Sequence, residues 1–219
     1  MSRVLIIAEH GTTSLDATSK CVRCATALPG ASIDVVVFGS GIAAVAAAAA
    51  RLSGVNRVLA VDAEANRHAL AAVLAPQVAK LAADYTHVFA PSTTFGKDLL
   101  PRVAALVDAP MLSDIMAVES ATRFRRPIYA GNAILTVEVP DAPLVLGTVR
   151  IASFETVAQD GAASVESRAT DAPAVNHTRF AMICSDWGRT SEQGLSVDEY
   201  ESGNGPSRWS GVKRRTKLT

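Results

Sequence analysis

The chain has 219 residues, 49% of them hydrophobic, and its 21 Lys and Arg are balanced by 21 Asp and Glu. That length allows one large domain or two small ones, and the apolar content predicts a substantial buried core. A zero net charge gives no overall pull toward nucleic acid or an anionic membrane surface, which excludes the usual electrostatic partners.

The longest apolar run, Gly41 to Ala50, stops at Arg51, short of the roughly 20 residues that a membrane-spanning helix needs. Met1-Ser2-Arg3 leads straight into an apolar run, which leaves no room for a signal or transit peptide. A cytoplasmic protein of a bacterium is therefore expected, with a mitochondrial matrix as the alternative, and the three Cys should remain thiols.

Taken in order, the elements follow an α/β rhythm. A strand over Arg3 to Ala8 leads to a helix over Leu15 to Leu28, ended by Pro29-Gly30. A strand over Ile33 to Phe38 precedes a helix from Gly41 to Leu52. A strand over Arg57 to Val61, a helix over Arg67 to Ala83 and a strand over Thr86 to Ala90 complete the alternation. Parallel strands need long crossovers, so this pattern predicts a doubly wound parallel sheet with helices on both faces. Pro101 is expected to break the next helical region and to open a second short helix, Pro101 to Val107.

Beyond Pro110 the segments are short and bounded by turn residues: Asp114 to Glu119, Phe124 to Tyr129, Ile134 to Val139 and Leu144 to Ile151. They read as an antiparallel β-meander appended to the sheet. The expected division is an α/β domain over 1–157, a linker over 158–180 that is poor in large apolar residues, and an unstructured or aberrant tail over 181–219. That tail holds both Trp residues and shows neither helical nor strand periodicity.

Three motifs could carry chemistry. Gly39-Ser40-Gly41-Ile-Ala-Ala44 has the spacing of a dinucleotide-binding turn between strand and helix, with Asp62 where an acidic residue would meet a ribose. It follows the second strand rather than the first, however, and a tight turn that simply needs glycines is the favoured reading. Ser92-Thr93-Thr94-Phe-Gly96-Lys97 places hydroxyls, free N–H groups and a Lys at a helix entry, which suits a phosphate or carboxylate. An ordinary N-cap with a solvated Lys is the competing reading. It is not a P-loop, because Pro91 and Asp98 stand where that motif needs Gly and Ser or Thr.

Cys21-Val-Arg-Cys24 lies inside a helix rather than at its N-terminus, so buried thiols are expected rather than a redox pair. The four His, at 10, 68, 87 and 177, complete no metal site, and no catalytic set is evident.

Five stretches taken together resemble one family. They are Val4-Leu-Ile-Ile-Ala-Glu-His10, Gly39-Ser-Gly41, Ala90-Pro-Ser-Thr-Thr-Phe-Gly-Lys-Asp98 with Leu100-Pro-Arg-Val-Ala-Ala-Leu-Val-Asp108, Ser113-Asp-Ile115 and Arg126-Pro-Ile-Tyr-Ala-Gly-Asn-Ala133. In order and without a large gap, they resemble the α subunit of electron transfer flavoproteins from Val4 to about Phe154.

The resemblance implies an adenine-nucleotide α-hydrolase-like fold and a heterodimer with an electron transfer flavoprotein beta subunit. It also implies a role as an electron carrier, not an enzyme, between acyl-CoA dehydrogenases and a membrane quinone oxidoreductase. FAD is the cofactor of the family complex. The Gly-Arg-Gly loop and the Gln-x-Gly-x-Thr-Gly segment that hold it in the family do not appear in this sequence, so this chain alone is expected to hold none.

The tail beyond about Ala181 is read as translated out of frame or from an altered gene end, with a natural short variant as the alternative. The functional alternatives are a stand-alone adenine-nucleotide-binding module and a fragment that interacts with the beta subunit. The module would use Gly39, Ser40, Gly41, Thr93, Thr94, Gly96 and Lys97.

Overall fold

Four apolar residues in succession, Val4 to Ile7, are all 0% exposed. Such a run belongs to a strand buried on both faces, at the centre of a parallel sheet. In the computed structural model it forms β1 (Arg3–Ile7), the middle strand of seven. The chain divides into two units, Met1–Phe180 and Ala181–Thr219. The structure describes residues 1–10, 14–140, 142–169 and 171–173, so the tail and the last part of the expected linker lie outside the described residues.

After β1 come α1 (Asp16–Ala25), β2 (Ser32–Gly39), α2 (Ala43–Ala50) and β3 (Val55–Asp62). A short 3-10 turn at Glu64–Asn66, α3 (Ala71–Ala82), β4 (His87–Pro91) and α4 (Thr94–Val107) follow. The sheet is completed by β5 (Met111–Ile115), β9 (Val145–Val149) and β10 (Ser164–Ser167), in the order β10-β3-β2-β1-β4-β9-β5, with every neighbouring pair parallel. A separate antiparallel sheet has the order β6 (Ala117–Val118), β7 (Arg123–Ile128), β8 (Ala133–Glu138).

Alternating side chains build two cores. Val4, Ile6, Val35 and Val37 face α1 and α2, meeting Val22, Ala25, Ala46 and Ala49. Leu5, Ile7, Val36 and Phe38 face α3 and α4, meeting Leu74, Val78, Leu99 and Val103. The Ala-rich α2 is helical by propensity and lets the chain lie close to the sheet.

Three expectations are corrected. Leu144 to Ile151 is not the last strand of a meander, because β9 inserts between β4 and β5. It is buried at every residue, and a Cβ on Gly147 would lie 2.5 Å from Ile115 Cδ1, so the strand belongs inside a two-sided sheet. Asp114 to Glu119 is split between β5 and β6. Pro101 does not break a helix, since α4 runs through it. Pro101 and Lys97, whose carbonyl loses its helical N–H to the ring, are both exposed, so water can take the place of the missing donor.

The beginning of the expected linker is a strap. Val157 N–H donates to Ser19 Oγ at 2.9 Å, and Phe154, Val157 and Ala163 pack on the α1–α2 core. Gly161 and Ala163 N–H donate to the carbonyls of Arg51 and Ala50 at 2.9 and 3.0 Å, which caps the end of α2 from outside the helix. The strap ends in β10, which pairs with β3 from Ser164↔Arg57 to Ser167↔Ala60. Backbone hydrogen bonding orders this stretch, and a composition that lacks large apolar residues carries no sign of it.

Candidate functional site

In a doubly wound sheet, ligands bind outside the carboxyl ends of the strands where the winding reverses. Here the chain winds outward from β1 to β2 and β3, then returns to the other side of β1 as β4. The switch point therefore lies between β1 and β4. All seven candidate residues stand at this end of the sheet: Gly39, Ser40 and Gly41 after β2, and Thr93, Thr94, Gly96 and Lys97 after β4. The two groups are separated by β1, and it is the end of β1, Glu9 and His10, that joins them. His10 Nε2 donates to the carbonyl of Phe38 at 2.8 Å, and Thr93 Oγ1 donates to Glu9 Oε2 at 2.8 Å.

The chain's own carboxylates stand at both helix entries, on the backbone N–H groups of α2 and on the Thr93 hydroxyl that precedes α4. At the entry to α2, Gly41 N–H donates to Asp62 Oδ1 at 2.8 Å and Ile42 N–H to Asp62 Oδ2 at 3.1 Å. Asp62 thus takes the donors that a phosphate would use, instead of reaching a ribose. The adjacent Ser40 hydroxyl donates to Glu64 Oε2 at 2.8 Å; with Arg67 it holds the Glu64 carboxyl below its ordinary range. At α4, Thr93 stands at the N-cap position with an extended backbone but makes no side-chain cap, its hydroxyl being turned to Glu9.

Two glycines allow this geometry by close approach. A Cβ on Gly96 would sit 2.0 Å from the Pro91 carbonyl oxygen, and one on Gly39 would sit 2.4 Å from Ile42 Cγ2. Gly41 has φ +72°, which is the region that glycine tolerates best. Thr94 and Lys97 are exposed. The Ser92 hydroxyl is buried and makes no hydrogen bond among the described residues.

A flavin dinucleotide presents an anionic pyrophosphate, and Asp62 on the N–H groups of α2 together with Glu9 beside the start of α4 repels such a group. The described residues of this crevice therefore do not fit it. Among the described residues, no cluster of three or more His, Cys, Asp or Glu is placed to hold a metal ion. Cys21 and Cys24 are wholly buried in α1, where burial pushes the Cys24 thiol up to about 12 and Cys21 also upward. They stay as thiols without nucleophilic character at neutral pH.

At the opposite, amino end of the sheet lies a cleft of about 230 Å³. Its floor is the Asp34 carboxylate, whose Oδ2 accepts from Arg57 Nε and Nη2 at 2.9 and 2.8 Å and from the Tyr85 hydroxyl at 2.7 Å, while Oδ1 accepts from Asn56 Nδ2 at 3.4 Å. Burial and this neighbour hold the Tyr85 phenol above its ordinary value. Arg3, Arg57 and Arg168 line the cleft beside Asp34 and Asp84, and Glu166 contacts both Arg57 and Arg168. The charges balance, so the cleft favours no ion of either sign.

Sequence reasoning placed Asp62 but not its role, and it gave no role to Glu9 or His10. Their signals were a position immediately after the first strand, at the winding reversal, and a place at the end of the Val4–His10 stretch that resembles the family.

No helix among the described residues is long and apolar enough to cross a membrane. Comparison with known proteins places this geometry in a family. Residues 4–175 match the electron transfer flavoprotein domain model. The chain is 47% identical over 164 residues to the electron transfer flavoprotein subunit alpha of Pseudomonas aeruginosa, covering 74% of this chain and 53% of that protein. It is 43% identical over 173 residues to the same subunit of Paracoccus denitrificans, covering 77% and 54%. The mitochondrial subunit alpha of Dictyostelium discoideum is 39% identical over 178 residues, covering 78% and 50%. The chain spans about half the length of these relatives. By the extent of the domain match and by these identities, the chain belongs to the electron transfer flavoprotein family, in which it corresponds to the amino-terminal domain of the alpha subunit.

Proposed function

We propose that this domain is the scaffold of an electron transfer flavoprotein alpha subunit, holding a beta subunit in place without itself binding the flavin. The whole assembly would carry electrons from acyl-CoA-type dehydrogenases to the quinone pool, in a bacterial cytoplasm or a mitochondrial matrix. A flavin held elsewhere in the assembly supplies the redox chemistry. This chain contributes a rigid surface and no catalytic group.

The observation that supports the reading is Asp62 on the N–H groups of α2 and Glu9 on the Thr93 hydroxyl, two carboxylates where an anionic ligand would lie. It leaves Gly39, Ser40, Gly41, Thr93, Thr94, Gly96 and Lys97 as structural residues rather than a nucleotide cradle. The purified chain is expected to be colourless, without the oxidised-flavin band at about 450 nm. Calorimetric titration with FAD, AMP and ATP is expected to give no binding heat, while the beta subunit should bind. Micromolar affinity for AMP or ATP would instead support the stand-alone nucleotide module.

A further inference from the structure

Ligands of a doubly wound sheet collect at the carboxyl ends of its strands, so an open polar cleft at the amino end calls for its own explanation. The proposed function makes no use of it. Its volume of about 230 Å³ lies below the roughly 300–1,000 Å³ of pockets that take drug-sized ligands. At roughly 30 Å³ per water it holds about eight waters, so its occupant is a small molecule.

The floor is built into the core. Asp34 stands in the Val-rich β2 and is 4% exposed, and a carboxylate in such a place is costly unless it is paired. Arg57 and Tyr85 satisfy Oδ2. The contact of Oδ1 with Asn56 Nδ2, at 3.4 Å, is longer than an ordinary amide hydrogen bond. A carboxylate oxygen has more than one acceptor site, so among the described residues Oδ1 keeps capacity for a better donor.

The rim differs from the floor. Arg3 opens β1, and Asp84 directly precedes Tyr85; both line the cleft and both are exposed. Their segments run side by side, since Thr86 N–H donates to the carbonyl of Arg3 at 2.9 Å. Among the described residues, however, neither side chain has an ion-pair partner, whereas Arg57 pairs with Asp34 and Arg168 with Glu166. One cleft therefore presents an unpaired cation and an unpaired carboxylate that do not bridge to each other.

We infer that this cleft binds a small zwitterion with N–H groups on its cationic end, a free amino acid being the simplest of that class. Its carboxylate meets Arg3, and its ammonium meets Asp84 and Asp34 Oδ1. Balanced charge gives the cleft no hold on a simple anion or cation, while two separated opposite charges hold a dipole in one orientation. A quaternary ammonium lacks the donors that Oδ1 would accept. Exposed charges are screened and individually weak, so a dissociation constant of about 1 mM is expected.

The test follows the amide and arginine Nε resonances of the isotope-labelled full chain during titration with glycine, glycine betaine, acetate and methylammonium. Glycine should give saturating shifts at Asn56, Arg57, Asp84 and Tyr85, and the other three, which each lack one half of the recognition, should not. Arg3→Met and Asp84→Asn should melt as the parent does, because both residues are exposed, yet bind glycine about threefold or more weakly. Lys97→Met, at the other end of the sheet, should bind as the parent does. No saturating response to glycine up to about 100 mM overturns the inference. Equal binding of acetate or of methylammonium makes the cleft a simple ion site, and equal binding of betaine removes the donor recognition; each overturns it. Glycine binding left unchanged by both rim variants places the ligand elsewhere and overturns it as well.

Discussion

The body of the domain and its arm, the β7–β8 hairpin with Phe124 buried at its root and Tyr129 exposed at its tip, handle polar and apolar groups in opposite ways. In the body, groups that could recruit a ligand are turned inward: Asp62 closes the mouth of α2, Glu9 takes the Thr93 hydroxyl, and Asp34 gathers Arg57 and Tyr85. In the arm, Tyr129 and Leu135 are left open, and among the described residues the buried Arg126 Nε has no acceptor. The body thus spends these polar groups on itself while the appended element leaves apolar ones in water, so function has to be argued from the site rather than from the fold.

The comparison breaks first at the root of the arm. Phe124→Ala should lower stability by about 3–5 kcal/mol in urea unfolding, because it empties a fully buried aromatic position. Leu135→Ala on the same face should cost under about 0.5 kcal/mol. Equal losses would mean that the outer half of the arm is packed after all.

Close approach in the body comes next. Gly96→Ala forces a methyl against the Pro91 carbonyl and should cost about 3 kcal/mol, whereas Gly131→Ala at the arm tip meets no atom and costs only its positive φ, about 1 kcal/mol. The ratio of the two, measured by chemical denaturation, checks the contrast.

A smaller effect concerns the filled mouth of α2. Asp62→Ala leaves the N–H groups of Gly41 and Ile42 to water and should cost about 1 kcal/mol. An unchanged unfolding midpoint would show that the carboxylate does not matter there.

The smallest effect is pH-dependent. Burial lowers the pKa of His87, and the carbonyl of Ala121, which can only accept, fixes the Nε2–H tautomer. With the folded value below the unfolded one of about 6.5, the unfolded chain takes up the proton first. The contribution of His87 is therefore full above that pH and is lost as pH falls toward the folded value. Melting followed from about pH 7 to 5 should fall more steeply for the parent than for His87→Gln.

Much of the body was legible in the sequence. Val4 to Ile7 and Val35 to Phe38 carry their burial in their composition, whereas the Ala-rich run after Gly41 shows a helix but not its buried side, Ala46, Ala49 and Ala50. β9 was misassigned because a short run such as Val145-Leu-Gly-Thr-Val149 reads alike in a meander and in a parallel sheet, and its neighbours Phe89 and Ile115 decide between them. The site was less legible. The spacing of Gly39, Gly41 and Asp62 is that of a dinucleotide turn, and nothing in the spacing says whether Asp62 faces a ribose or folds back onto the N–H groups of the turn. The overhang of the arm was invisible because strand patterning shows which residues alternate, not where the supporting body stops.

The strap has a consequence for the order in which the domain is made. β3 is complete at Asp62, but among the described residues its outer edge is covered by Ser164–Ser167, roughly a hundred residues later in synthesis. At about 5–20 residues per second on the ribosome, that edge stays open for several seconds, with the N–H and C=O groups of Arg57 to Ala60 available to any other extended chain. Covering it requires the strap to pass α1 and the end of α2, and β10 is the last strand of the sheet to be synthesised among the described residues. Protection from misassembly in the nascent protein therefore rests on the polar segment whose composition gave least reason to expect order.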